Sequence, residues 1–203
     1  MPGNLDPATL DLFLAKAKAA TIEVVAVENI HNAVDYAIEA TKRAEFGKLL
    51  PTGGPPKPAT GERRKTLAAP ALSQELYDEL AKKGEAENFE MIRSGLREYL
   101  AGVDVSLTIA SMGIAETATL IIENEREDDR LATMICETSL IVLPKSKLFK
   151  TSYETEAFLN EALGREHNYT SFISGPSRTA DIERVLTLGV HGPLAMHVIL
   201  LEE

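Results

Sequence analysis

Three short stretches concentrate the side chains that could do chemistry. The first is Gly175, Pro176, Ser177, Arg178 and Thr179, which follows the apolar run TSFIS and precedes ADIERVLTL with its Asp181. A guanidinium between two hydroxyls offers a planar fork and extra donors for a carboxylate or phosphate. Glycine lets the chain turn sharply or approach a ligand closely. If ADIERVLTL is a short helix, its first N–H groups add a partial positive charge, and a small anionic ligand is the chemistry these features favour. The structural alternative uses the same atoms. Ser177, Thr179 or Asp181 can cap the helix, and Arg178 can pair with Asp181 or Glu183.

The second stretch is SMGIAETATLII, where Glu116 and Thr117 lie between a glycine turn and an apolar strand. A half-buried carboxylate there can serve as general base or nucleophile, or can simply be the partner of an arginine. The third is GVHGP, where His191 and Gly192 sit in a glycine-flanked loop that gives an imidazole access to a ligand. A turn carbonyl is its alternative partner. His197 lies inside AMHVILL and reads as a hydrogen-bonded core histidine. A helix over 180–188 would span about 13 Å. Arg178 and His191 would then share a pocket only if that helix crosses the mouth of the sheet, or if a second subunit supplies one of them.

The elements that must hold these residues are legible as periodicity. Asp6-Pro7 opens a helix with Leu10, Phe13, Leu14 and Ala17 on one face. TIEVVAV reads as a strand, Asn29 to Ala44 as a helix, and KTLAAP as a short strand. A helix capped by Ser73 runs to a stop at Gly84. FEMI, VSLTIA, TATLIIE, SLIVLP, TSFIS and AMHVILL read as further strands, and Thr151 with Glu154 forms a capping box for a helix ending at Gly164. Strands alternate with helices, and several are apolar throughout. The expected fold is therefore α/β, one domain over residues 1–203 with a mostly parallel central sheet flanked by helices.

The loop at 47–62 breaks this pattern with prolines and glycines and leads into Arg63, Arg64 and Lys65. It reads either as a surface loop with a solvated basic end or as a lid that greets an anion. The formal net charge of −10 argues against a nucleic-acid partner, since such affinity comes largely from Lys and Arg on phosphates. The start of the chain lacks a basic region followed by a long apolar run, and no window suits a membrane span. A cytoplasmic protein is expected. The one cysteine, Cys136, lies among apolar residues and reads as a small buried hydrophobe. It cannot assemble an iron–sulfur site alone, and no metal site is expected.

GIAETATLII followed by SGPSRTADIERVLTLGVHGPLAMHVILLE closely resembles the LUD domain family, that of the lactate-utilisation protein C subunits. The resemblance covers residues from about 100 to the end. It implies a fold similar to NagB/RpiA/CoA-transferase-like proteins. It also implies work beside iron–sulfur partner subunits that oxidise L-lactate to pyruvate, with the clusters on those partners and no cofactor bound by this chain. A homo-oligomer is a further possibility. Where the family usually reads AETGT, this chain has Ala115-Glu116-Thr117-Ala118-Thr119, and alanine narrows whatever space the glycine leaves. Three readings follow. One is an accessory subunit of lactate oxidation that holds a small anion. The second is a free-standing isomerase or CoA-transferase-like enzyme using Glu116. The third is an anion-sensing module without catalysis.

Overall fold

Asp6 starts the fold as the sequence predicts. Its carboxylate accepts from the Ala8 N–H, and Pro7 takes the first position of α1 (Pro7–Ala19). The computed structural model describes residues 5–46, 63–166, 169–180 and 186–202. After α1 come β1 (Ile22–Val27), α2 (Ile30–Arg43), β2 (Thr66–Ala68), α3 (Gln74–Ala86), β3 (Glu90–Ile92) and β4 (Val103–Ile109). The chain continues through β5 (Met112–Ile114), β6 (Thr119–Glu123), α4 (Glu127–Met134), β7 (Cys136–Pro144), β8 (Leu148–Phe149) and α5 (Glu156–Leu163). It closes with β9 (Thr170–Ile173), β10 (Arg178–Thr179), β11 (Thr187–Leu188) and β12 (Ala195–Leu201). The 47–62 loop lies outside the described residues.

The main sheet has six strands in the order β1-β12-β7-β4-β2-β3, and every neighbouring pair is parallel. This is the expected α/β architecture with a parallel central sheet. Two adjacent interior strands, β12 and β7, explain their own apolar runs. On β12, Ile199 and Leu201 enter one core with Val34, Ala37 and Leu80 of α2 and α3. Met196, Val198 and Leu200 enter another with Phe13 and Ala17 of α1. On β7, Leu140 and Val142 face the first core, and Ile141 and Leu143 the second. Through the central stretches of both strands, alternate residues are buried on opposite faces, which is why those stretches are apolar.

TATLIIE and TSFIS do not join that sheet. They form β6 and β9 of a separate four-stranded sheet ordered β8-β5-β6-β9. β5 and β9 both run antiparallel to β6, and β8 runs parallel to β5. The connection from β5 to β6 is the single 3₁₀ turn Ala115–Thr117. A parallel crossover needs a dozen or more residues, so so short a link can only make a hairpin. This second sheet, with α1, covers one face of the main sheet, and α2 and α3 cover the other. The sequence also hides α4, whose first turn is Glu127, Asp128 and Asp129. That charge run is a helix start secured by Arg126 and a buried Asp129. Gly84 does not stop its helix. It lies inside α3, where a Cβ would come within 2.3 Å of Met91 Sδ.

Of the basic cluster, Arg63 and Lys65 are tied into the framework. Arg63 pairs at 2.6 Å with Asp104, which is fully buried on β4. Asp104 Oδ2 also accepts from the Thr66 N–H and the Thr66 hydroxyl, both at 2.9 Å. Lys65 Nζ donates to the Thr41 and Lys42 carbonyls at the end of α2. Removing the Asp104 carboxylate would take one ion-pair partner from the half-buried Arg63 and the acceptor from two buried Thr66 donors. We expect Asp104→Ala to lower unfolding free energy by about 1–3 kcal/mol, measured by urea denaturation.

His197 is the core histidine its context suggests. Its Nδ1 hydrogen-bonds Tyr36 Oη at 2.9 Å, and its Nε2 lies 3.7 Å from Glu23 Oε2. Burial lowers its pKa from 6.5, against the pull of the Glu23 carboxylate. The neutral ring is therefore the form the fold prefers. The unfolded chain takes up the proton first, so stability is complete above pH 6.5 and falls as pH drops below it. Stability measured from neutral to mildly acid pH should decline, and His197→Gln should flatten that slope.

Candidate functional site

The segment 175–179 and the segment 187–193 are laced together. Arg178 and Thr179 pair antiparallel with Leu188 and Thr187. The Ser177 N–H donates to the Pro193 carbonyl at 2.8 Å, and the Gly189 N–H donates to the Ser177 carbonyl at 2.9 Å. The helix expected over 180–188 is thus corrected at its end, because Thr187–Leu188 is a strand. Asp181 lies outside the described residues. β-branched Thr179 and Thr187 favour an extended partner over a short helix, and Gly189 at φ 72° turns the chain back. Ser177 and His191 come from two sides of one ribbon.

That ribbon closes a cavity of about 240 Å³ over the start of β7 and β12. Gly175, Ser177, His191 and Gly192 line it, together with Ser139 and Ser171. Met196 and Ile173 supply an apolar side. Ser171 Oγ is fixed by Asn124 Nδ2 at 2.9 Å. Gly192 is small for a reason: a Cβ there would sit 3.2 Å from the Ser177 Cβ. Among the described residues, the cavity lining gathers an imidazole and three serine hydroxyls and holds neither a carboxylate nor a guanidinium. Such a lining suits a small polar ligand carrying at most one negative charge. The sequence did not single out Ser139 and Ser171. Ser139 had one signal, a lone hydroxyl at the head of the apolar run SLIVLP, whereas Ser171 is one of three hydroxyl residues in TSFIS.

The remaining sequence candidates take other places. Arg178 is exposed. Its guanidinium donates to Thr21 Oγ1 at 3.0 Å and does not line the cavity. Pro176 is buried beside it, and Thr179 sits half-buried in the two-stranded ribbon. Glu116 is half-buried, and its Oε1 accepts from the Ser152 N–H at 2.7 Å. Its carboxylate holds the start of the Ser152–Thr155 turn. Thr117 is linked to the site indirectly. Its hydroxyl meets Thr119 Oγ1 at 2.7 Å, and Thr119 Oγ1 meets Ser174 Oγ at 2.6 Å. Ala118 is fully buried at φ 50°, a conformation that costs a non-glycine residue about 1–2 kcal/mol.

Among the described residues, no group of three or more His, Cys, Asp or Glu side chains gathers in a way that could hold a metal ion. Cys136 is buried, and burial pushes its thiol up to about 11. A lone protonated thiol does not fit an iron–sulfur cluster. No helix among the described residues is long and apolar enough to cross a membrane.

Gly175 is the backbone hinge of the site. Its φ is +97°, and a Cβ would fall 2.8 Å from the Ala20 carbonyl oxygen. Gly175→Ala should lower stability by about 1–3 kcal/mol in urea denaturation. Gly164→Ala, at φ −76° with only ordinary contacts, should stay near the parent protein.

Comparison with known proteins places the chain in a family. The LUD domain profile matches residues 10–201. Lactate utilization protein C of Exiguobacterium sp. is 33% identical over 110 residues, 53% of this chain and 48% of that protein. Its counterpart in Halalkalibacterium halodurans is 33% identical over 111 residues, covering 53% and 48%. The matched stretch thus spans about half the length of these relatives. Among solved structures, a DUF162 family protein from Deinococcus radiodurans superposes with a TM-score of 0.58 at 19% identity. That match covers 96% of this chain and 97% of the other, and it shows a shared fold. With the profile spanning nearly every residue from α1 to β12, the chain belongs to the LUD domain family.

Proposed function

We propose that this chain is a lactate-utilisation subunit that holds a small monoanionic ligand while iron–sulfur partner subunits carry the electrons. Family membership over residues 10–201, with relatives named lactate utilization protein C, is the observation that carries the reading. The cavity chemistry supports it. Oxidation of L-lactate to pyruvate releases two electrons and two protons. Ser139, Ser171 and Ser177 offer hydroxyls to a carboxylate or hydroxyl group, and His191 offers ring nitrogens that can donate or accept a hydrogen bond. The electrons need an acceptor elsewhere, because the buried Cys136 cannot ligate a cluster. Partner proteins rich in cysteine supply that acceptor in this proposal.

In this reading Arg178 is a positioning residue. Its bond to Thr21 ties the ribbon to the corner between α1 and β1. Glu116 holds a backbone amide, so no observation favours an isomerase or CoA-transferase using it as base or nucleophile. An anion-sensing module would need the same cavity without turnover, and one experiment separates the two. Lactate-dependent dye reduction is measured with candidate iron–sulfur lactate-utilisation proteins, with and without the chain present. The expected result is loss of lactate oxidation without it and a fall of at least about tenfold with His191→Ala, of the order found for hydrogen bonds to charged groups. Equal rates with and without the chain would overturn the proposal.

A further inference from the structure

The carboxyl edge of the main sheet carries a second cavity, where no sequence motif pointed. It measures about 530 Å³ and opens past the ends of β2, β3 and β4. Open parallel sheets take ligands in the crevice outside those ends. The charged lining is Arg93, Arg126, Glu123, Glu125 and Asp129, and Leu72, Ile109 and Ala110 form an apolar wall.

Pairing these charges off leaves one of each sign. Arg126 grips Asp129 through Nη2 at 2.8 Å and Nε at 3.2 Å, and also reaches the Pro70 carbonyl. Glu123 pairs with Arg165 and accepts from the Ser111 hydroxyl at 3.1 Å. The unmatched cation is Arg93. Its guanidinium stacks 5.2 Å from the Tyr77 ring centroid and donates to the Gln74 amide oxygen and the Leu72 carbonyl. Both acceptors are neutral, and a guanidinium has more N–H donors than they use. No carboxylate among the described residues forms an ion pair with it. The unmatched anion is Glu125, exposed on the same lining without a hydrogen bond or ion pair among the described residues.

This residue of two opposite charges selects the ligand. A plain carboxylate on Arg93 would bring a second negative charge into the cavity that Glu125 lines. A plain amine on Glu125 would bring a second positive charge into the cavity that Arg93 lines. Either leaves one protein charge facing its like, the arrangement by which sites reject wrong ligands. A molecule with one charge of each sign answers both and leaves the balance of the lining unchanged. We infer that the carboxyl-edge cavity binds a small zwitterion, an amino acid whose carboxylate docks on Arg93, whose ammonium meets Glu125, and whose apolar body lies along Leu72, Ile109 and Ala110. A planar guanidinium suits a carboxylate in a two-pronged bond. The inference stands apart from the lactate-utilisation reading and asks nothing of the His191 cavity.

The test is titration of the isolated full-length chain, followed by calorimetry and by amide NMR shifts. Two zwitterions, L-leucine and 5-aminopentanoate, hold their charges at short and long spacing. Two analogues, 4-methylpentanoate and 3-methylbutylamine, keep the apolar body and carry a single charge. Saturable binding is expected for at least one zwitterion, with both single-charge analogues at least about tenfold weaker, the order expected for losing a charge-assisted contact. Shifts should cluster at residues 71–72, 93–94, 109–111 and 123–126. Arg93→Gln and Glu125→Gln should each weaken the zwitterion by at least about tenfold, the first without weakening the amine and the second without weakening the carboxylate. No saturable binding of either zwitterion, a single-charge analogue that binds as tightly, shifts clustered around His191, or unchanged affinity in either variant would each overturn the inference. The ranking of the four probes and the location of the shifts are read on the parent protein, so they decide the matter even if a variant folds poorly. Neither partner subunits nor lactate enter the measurement, so its failure is distinct from a failure of the lactate-oxidation assay.

Discussion

The structure depends on burying both faces of two adjacent parallel strands. β7 and β12 are adjacent interior strands of the main sheet, and their side chains alternate between two cores. Each fully buried aliphatic side chain there contributes about 1.5–3 kcal/mol relative to exposure, so both faces need a continuous apolar cover. α2 and α3 provide one cover. The other is a composite of α1 and the second sheet. The smaller sheet is thus a structural necessity that leaves its own rim free for function.

That rim is where the His191 cavity forms. β9 emerges from the second sheet, and Gly175 turns the chain at φ +97° against Ala20. The chain then pairs with the segment that leads into β12. Two sequence motifs become one ribbon because backbone groups that lack a helix need partners, and here they find each other. The hydroxyl chain from Thr117 through Thr119 to Ser174 ties the β5–β6 turn to the same corner. Glu116 and Ser177 therefore belong to one neighbourhood while doing different work: the first secures a turn, the second lines the cavity.

Polar groups at the edge of the main sheet follow a different logic. Asp104 is a fully buried carboxylate, and it is tolerable because Thr66 and Arg63 answer it. Arg126 and Asp129 answer each other at the start of α4. The Asp104 group closes the amino ends of β2 and β4, whereas the Arg126–Asp129 pair lines the cavity past their carboxyl ends. One ribbon and one paired-charge edge thus give the domain two concave surfaces at opposite ends of its central strands.

The sequence by itself determined the element types wherever periodicity was strong. Asp6-Pro7, Asn29, Ser73 and the Thr151–Glu154 box mark helix starts that the fold uses, because a cap is a local bond between neighbours. The apolar runs of β7 and β12 announced a sheet covered on both sides, and His197 and Cys136 read correctly as interior groups. Only the tertiary structure decided which strands share a sheet, since TSFIS and TATLIIE carry no label for parallel or antiparallel pairing. It also decided the fate of 187–188, where a helical pattern lost to pairing with 178–179. Side-chain direction was beyond the sequence for the same reason. Arg178 left for Thr21, and Arg93 joined a cavity wall with residues from four other segments. Such positions are set by contacts between segments distant in the chain, which no local pattern records.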